Sequence, residues 1–175
     1  VILNAITSKK QPNDMKNANN CVICHLSDES GTDRLSTAIG YKGATNSHHL
    51  NTMTILNSSL AKVLTWDGEV KSIEKQISNS IQSSYKMNIK EDELIEKLSK
   101  DEKYINHFNE VFKEENSLNF INIQKSIAAY VKILLTRSSF DEFLEGDNNA
   151  ISATAKRGLV NFMNFGCAGC HTGMS

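Results

Sequence analysis

The sequence predicts a mainly α protein, on three observations. Apolar residues recur at helical spacing from about Ile55 onward, no run alternates as a half-buried strand would, and the longest stretch without periodicity is rich in Ser, Gly, Thr and Asn. Residues 1–20 are polar, Asn-rich and hold the one proline, Pro12, so they read as an irregular lead-in. Residues 27–52 (SDESGTDRLSTAIGYKGATNSHHLNT) read as a long loop, and loops of that length in compact domains are usually functional or mobile. The turn WDG is followed by a helix predicted over 69–83. EDELIEKLSK places Leu94, Ile95 and Leu98 on one face. Ile105, Phe108, Val111 and Phe112 repeat that pattern behind Asp101, a natural N-cap. The strongest helix is predicted over 120–136, with Phe120, Ile123, Ile127, Val131 and Leu134 in one stripe. Ser152 caps a last helix carrying Leu159, Phe162 and Met163.

Composition narrows the function classes. The 39% hydrophobic content is low for a chain of 175 residues to pack a tight core unaided, which suits a cofactor serving as core material. A net charge of −1 provides no broad positive field, so nucleic acid is not an expected partner. The longest apolar stretch, IAAYVKILL, is broken by Lys132 and falls far short of the ~20 residues a bilayer span needs. VILNAITSKK lacks the features of a signal peptide, so the expectation is a chain whose targeting segment is absent from this sequence.

All four cysteines lie in two Cys-x-x-Cys-His signatures, CVICH at 21–25 and CAGCH at 167–171. This is the attachment motif for c-type haem: Cys21 and Cys24, and Cys167 and Cys170, would form thioethers, and His25 and His171 would reach the two irons. Zinc could draw four thiolates from the two pairs, but gives no reason for a histidine after each. A thioredoxin-like pair would sit in an α/β context, which the pattern lacks. The expectation is therefore two covalently bound c-type haems in c-type cytochrome domains, in an extracytoplasmic, periplasmic protein. One complete N-terminal haem domain, with an inter-domain helix, would span 21–150, and the start of a second would span 151–175.

Longer stretches carry a resemblance. LNTMTILNSSL keeps Asn51, Thr54 and Asn57 of an Arg-Asn-x-Pro-Thr-x-x-Asn segment. TWDGEVKSIEKQ keeps Trp66, Asp67, Gly68 and Gln76 of a Phe-Trp-Asp-Gly-Arg segment and its later Gln. IQKSIAAYVKILLTRSSFDEFLEGD keeps Ile127, Ala128, Ala129, Phe140, Asp141, Leu144, Gly146 and Asp147, and AKRGLVNFMNFGCAGCHTG resembles the entry to a second haem domain. In order and spacing the chain resembles the bacterial dihaem cytochrome c peroxidase family, which includes tryptophan-modifying relatives. The resemblance implies that His25 holds the iron that meets hydrogen peroxide and His171 the iron that delivers electrons. It further implies that Trp66 lies between the haems, that Asn51 is a candidate calcium ligand, and that Gln76 lines the distal pocket. The family's pocket glutamate is Lys86 here, beside the matching Met87. Glu69 and Leu50 replace two family arginines, and Gly43 falls near the place of the distal histidine.

His48 and His49 are the histidines of that loop and candidate distal ligands; a solvated pair is the alternative. Met53, Met87 and Met163 are thioether candidates or core filler, Tyr41 could approach the first haem, and His107 is expected at the surface. In the family the second haem is wrapped by further residues, and Met174 is too close to His171 to reach its opposite face. A piece of a longer protein is therefore expected. The functional expectation is reduction of hydrogen peroxide to water with electrons from a small cytochrome c or cupredoxin, with a homodimer as a weaker expectation. The alternatives are oxidation of a protein side chain, or electron transfer without catalysis, which the exchange of the pocket acid for Lys86 makes credible.

Overall fold

The computed structural model describes residues 20–26 and 29–171; most of the lead-in, and Met174, lie outside the described residues. Among the described residues there are seven α-helices and no strand, only an isolated antiparallel bridge between Leu26 and Thr32. No helix among them is long and apolar enough to cross a membrane.

The first helix, α1 (Cys21–Cys24), is a single turn whose N-cap Asn20 accepts a hydrogen bond from the Val22 amide. The region after it is irregular, as its composition predicts, apart from 3-10 turns at Tyr41–Gly43 and Ser58–Leu60. Helix α2 spans Ile73–Gln82 and starts four residues later than predicted. Val70 is tied back through its carbonyl to the Leu64 amide, and Ser72 caps the helix by accepting from the Lys75 amide. Helix α3 (Glu91–Ser99) has Glu91, Asp92 and Glu93 at its positive end and Lys97 at its negative end, the arrangement its macrodipole favours. Asp101 caps α4 (Glu102–Phe112), and Asn119 caps α5 (Phe120–Lys132).

These helices enclose one continuous core. Tyr104, Phe108, Leu118 and Ile123 form its centre, with Leu98 and Phe112 packed on them. Ile81, Ile89 and Phe120 form a second group with Ile77 and Met87, and Leu94, Ile95 and Ile127 touch both. α5 lies against α2, α3 and the Ser58–Leu60 turn, and Lys132 Nζ reaches Glu74 on α2 at 2.7 Å. Val111 departs from its predicted stripe and is exposed, while His107 is half-buried, not fully exposed, 4.0 Å from Glu110. The connection between α4 and α5 is closed by polar bonds: buried Asn122 donates to the Ser117 carbonyl at 2.9 Å and to Glu114.

α5 ends at Lys132, short of the predicted 136, because the chain beyond is claimed by a distant loop. Asn57, at φ 58°, donates its amide to the Leu134 carbonyl and its side chain to Thr136 Oγ1 at 2.7 Å, and accepts from the Thr136 amide at 2.8 Å. Helix α6 (Ser139–Leu144) opens with a full capping box between Ser138 and Asp141. Helix α7 (Ala153–Asn164), capped by Ser152 as predicted, buries none of its residues; Phe162, Met163 and Phe165 are exposed.

Phe108 is fully buried at the centre of the core and stacks on Phe112 with ring centroids 5.7 Å apart. Phe108→Ala is expected to cost about 3–5 kcal/mol, read as a fall in the urea midpoint at unchanged slope, whereas Val111→Ala on the exposed side of the same helix should change little.

Candidate haem site

Each signature curls into one turn. The His25 amide donates to the Cys21 carbonyl at 2.9 Å, and the His171 amide donates to the Cys167 carbonyl at 3.0 Å. A turn of that pitch brings residues i, i+3 and i+4 to one side, so two sulfurs and an imidazole share a face. That is the donor set c-type haem requires: two thioether positions and an axial nitrogen.

The His25 ring is held. Its Nδ1 lies 3.0 Å from the Gly31 carbonyl oxygen. A proton on Nδ1 satisfies that carbonyl and leaves the Nε2 lone pair free for a metal, the usual support for a ligating histidine. Burial lowers the His25 pKa, which favours the neutral ring that ligation needs. Gly31 is buried at φ +72°, and its amide donates to Leu26 at 2.8 Å; an added Cβ would meet Thr54 Oγ1 at 3.0 Å. Burial also pushes the Cys21 thiol up to about 11 and raises that of Cys24, whereas a redox pair depends on a depressed thiol. Among the described residues no three His, Cys, Asp or Glu side chains gather as a metal site, so the two cysteine pairs do not meet around zinc.

The second signature is built differently around the same turn. Gly166, at φ +79°, leads into a 3-10 turn at Cys167–Gly169, and Cys167, Cys170 and His171 are all exposed. The Phe162 ring stands 6.0 Å from the His171 ring.

Of the predicted pocket residues, Lys86 is the one within electrostatic range of His25. Lys86 is partly buried within electrostatic range of Cys24 and His25, and burial lowers its pKa. Its Nζ lies 3.5 Å from Ser80 Oγ on α2. Gln76, one helical turn before Ser80, holds a buried Oε1 with no hydrogen-bond partner among the described residues. Met87 packs into the core.

Other candidates are displayed at the surface. Trp66 is 64% exposed, on a turn clamped by Asp67, whose carboxylate accepts from Thr65 Oγ1 at 2.5 Å and the Glu69 amide at 3.1 Å. These bonds hold the Asp67 carboxyl below its ordinary pKa. His48 and His49 are exposed in a turn organised by Asn46, whose Oδ1 accepts from the His48 and Leu50 amides. Asn51, Met53 and Met163 are exposed, and Tyr41 is half-buried with Lys42 Nζ over its ring.

Four supporting residues escaped the sequence reading: Gly31, Asp33, Gly40 and Ser80. Asp33 lies within electrostatic range of Cys24 and His25; it accepts from Thr52 Oγ1 at 2.8 Å and the Leu35 amide at 3.0 Å. Gly40 abuts the backbone that carries Lys86: a Cβ there would lie 2.2 Å from the Tyr85 carbonyl oxygen and 2.7 Å from that of Lys86. The Tyr41 amide donates to the Lys86 carbonyl at 2.7 Å. The signal available in the sequence was glycine within a loop that follows a ligand motif. Because the clash is with backbone, Gly40→Ala is expected to cost about 1–3 kcal/mol in denaturant unfolding, while Gly158→Ala in α7, where an added Cβ meets nothing within 4 Å, should not destabilise.

Comparisons with known proteins identify the family. The family model for di-haem cytochrome c peroxidase matches residues 14–149. Cytochrome c551 peroxidase of Pseudomonas aeruginosa is 32% identical over 160 residues, which are 89% of this chain and 45% of that protein. Cytochrome c peroxidase Ccp of Escherichia coli is 35% identical over 156 residues, 88% of this chain and 33% of that protein. The chain thus spans less than half the length of these curated relatives. A crystal structure of a MauG-like protein associated with microbial copper homeostasis superposes with a TM-score of 0.76 at 24% identity, over 87% of this chain and 46% of the other, which shows a shared fold. With the two curled signatures and a family match over most of its length, the chain belongs to the di-haem cytochrome c peroxidase family.

Proposed function

We propose that this chain carries two thioether-linked haems and belongs to a periplasmic peroxidase that reduces hydrogen peroxide to water. The observation that carries the reading is the His25 ring, fixed by Gly31 with Nε2 free beside two cysteines on one turn. Cys21, Cys24 and His25 would hold the peroxide-reducing haem, and Cys167, Cys170 and His171 the electron-receiving one. Haem supplies, when bound, the iron that passes electrons to the oxidant. The balance is H2O2 plus two electrons and two protons to two waters. The electrons would come from a small cytochrome c or cupredoxin.

The chain's own residues handle position and protons. Gln76 offers an amide oxygen in need of a donor, which suits a peroxide O–H. Lys86 offers an ammonium. Because burial lowers its pKa, it releases a proton more readily than an exposed lysine, which suits delivery to the departing oxygen. Trp66 is the aromatic assigned to the electron route between the haems, and its clamped turn keeps the indole displayed. His48 or His49, in the exposed loop, is the candidate sixth ligand of a resting state, and Asn51 the candidate calcium ligand.

Holoprotein mixed with a reduced small cytochrome is expected to oxidise it on addition of peroxide. The Cys21→Ser/Cys24→Ser variant should lose that turnover, and Lys86→Met should lower it by about 100-fold or more. Wild-type holoprotein that accepts electrons but shows no peroxide-dependent turnover would favour a plain electron carrier.

A further inference from the structure

The Lys86 side chain is placed for more than proton delivery. Its backbone is fixed on two sides. The Lys86 and Asn88 amides donate to Ser83, and the Met87 amide donates to Ser80, folding the segment back on the end of α2. From the other side, the Tyr41 amide donates to Lys86 with Gly40 against it. Its ammonium is partly buried and makes no ion pair among the described residues. Asp33, the carboxylate in range of the same cysteine and histidine, is already engaged by Thr52 and Leu35. Among the described residues, the one polar contact of the ammonium is the Ser80 hydroxyl at 3.5 Å, a long and weak bond. One turn along α2, on the same face, lies the unpartnered oxygen of Gln76.

A partly buried cation with a spare donor, a neutral hydroxyl and an orphan amide oxygen make a site that lacks a negative charge. We infer that Lys86, Ser80 and Gln76 form a binding site for a small monoanion beside Cys24 and His25. An anion that keeps one hydrogen, as hydroperoxide does, satisfies both ends of the cluster: its charged oxygen accepts from Lys86 and its O–H donates to Gln76. This rests on the proposed haem attachment at His25. It adds that the site selects the hydroperoxide ion from solution, its proton having passed to bulk water, and that other small monoanions compete for the same place.

The test is azide titration of the holoprotein, oxidised and half-reduced, followed by the haem absorbance, with imidazole as a neutral ligand. Wild type is expected to bind azide in at least one form. Lys86→Met should weaken azide about tenfold or more with imidazole affinity unchanged, and Lys86→Arg should restore most of the loss. If Lys86→Met yields no haem-loaded protein, Lys86→Gln makes the same comparison, with the same loss expected. Azide affinity equal in wild type and variants, no azide binding by wild type in either form, or parallel loss of azide and imidazole would each overturn the inference. Failure of haem attachment shows first, as missing absorbance in wild type, and sinks the reading beneath it. Unchanged azide binding with haem intact sinks this inference alone.

Discussion

The hydrogen-bonding contact between the His25 ring and the Gly31 carbonyl, 3.0 Å long, is the constraint on which the first site depends. It settles which ring nitrogen is free and which way the imidazole faces. The two ends of the contact are close in sequence but are positioned by different parts of the structure. His25 is set by the turn of its own signature, whereas Gly31 is set by its bridge-flanked backbone at φ +72° and by the close approach of Thr54 and Ile55. The segment around residue 54 is in turn anchored through Asn57 to the end of α5. The ring's orientation is thus traceable, contact by contact, to the helical core.

The same core presents the pocket side. α2 packs on α5, and the chain leaving α2 folds back so that Lys86 returns to the helix that bears Gln76 and Ser80. Gly40 lets the long loop press directly on this return. Loop and turn meet with no side chain between them, which couples the position of Lys86 to the segment following the first signature. In the proposed site, a lysine where the family carries a carboxylate would reverse the sign of the local charge.

Much of this was legible in the sequence, and what was not has a common cause. The signatures, the caps at Asp101 and Ser152, and the stripe of α5 are encoded over a few residues, where period and capping chemistry act. The helix ends were misread where a distant partner intervenes. Leu134 and Thr136 leave α5 because Asn57 claims their backbone, and residues 69–71 stay outside α2 because Val70 pairs with Leu64. Val111 fits the period yet faces solvent, since the period names a stripe without saying how wide the packed face is. Gly31, Gly40 and Ser80 were missed because each acts through a neighbour its own sequence does not announce. Trp66 stands exposed on a turn whose Asp67 clamp was legible only as the WDG element of the resemblance.

The most direct measurement of the central claim is acid–acetone extraction of the purified holoprotein followed by intact mass. Non-covalent haem leaves the polypeptide under these conditions; thioether-linked haem does not. The account predicts that colour stays with the protein, that the mass carries two haems, and that Cys21→Ser/Cys24→Ser removes one of them. A polypeptide that comes through colourless at its bare mass would contradict it.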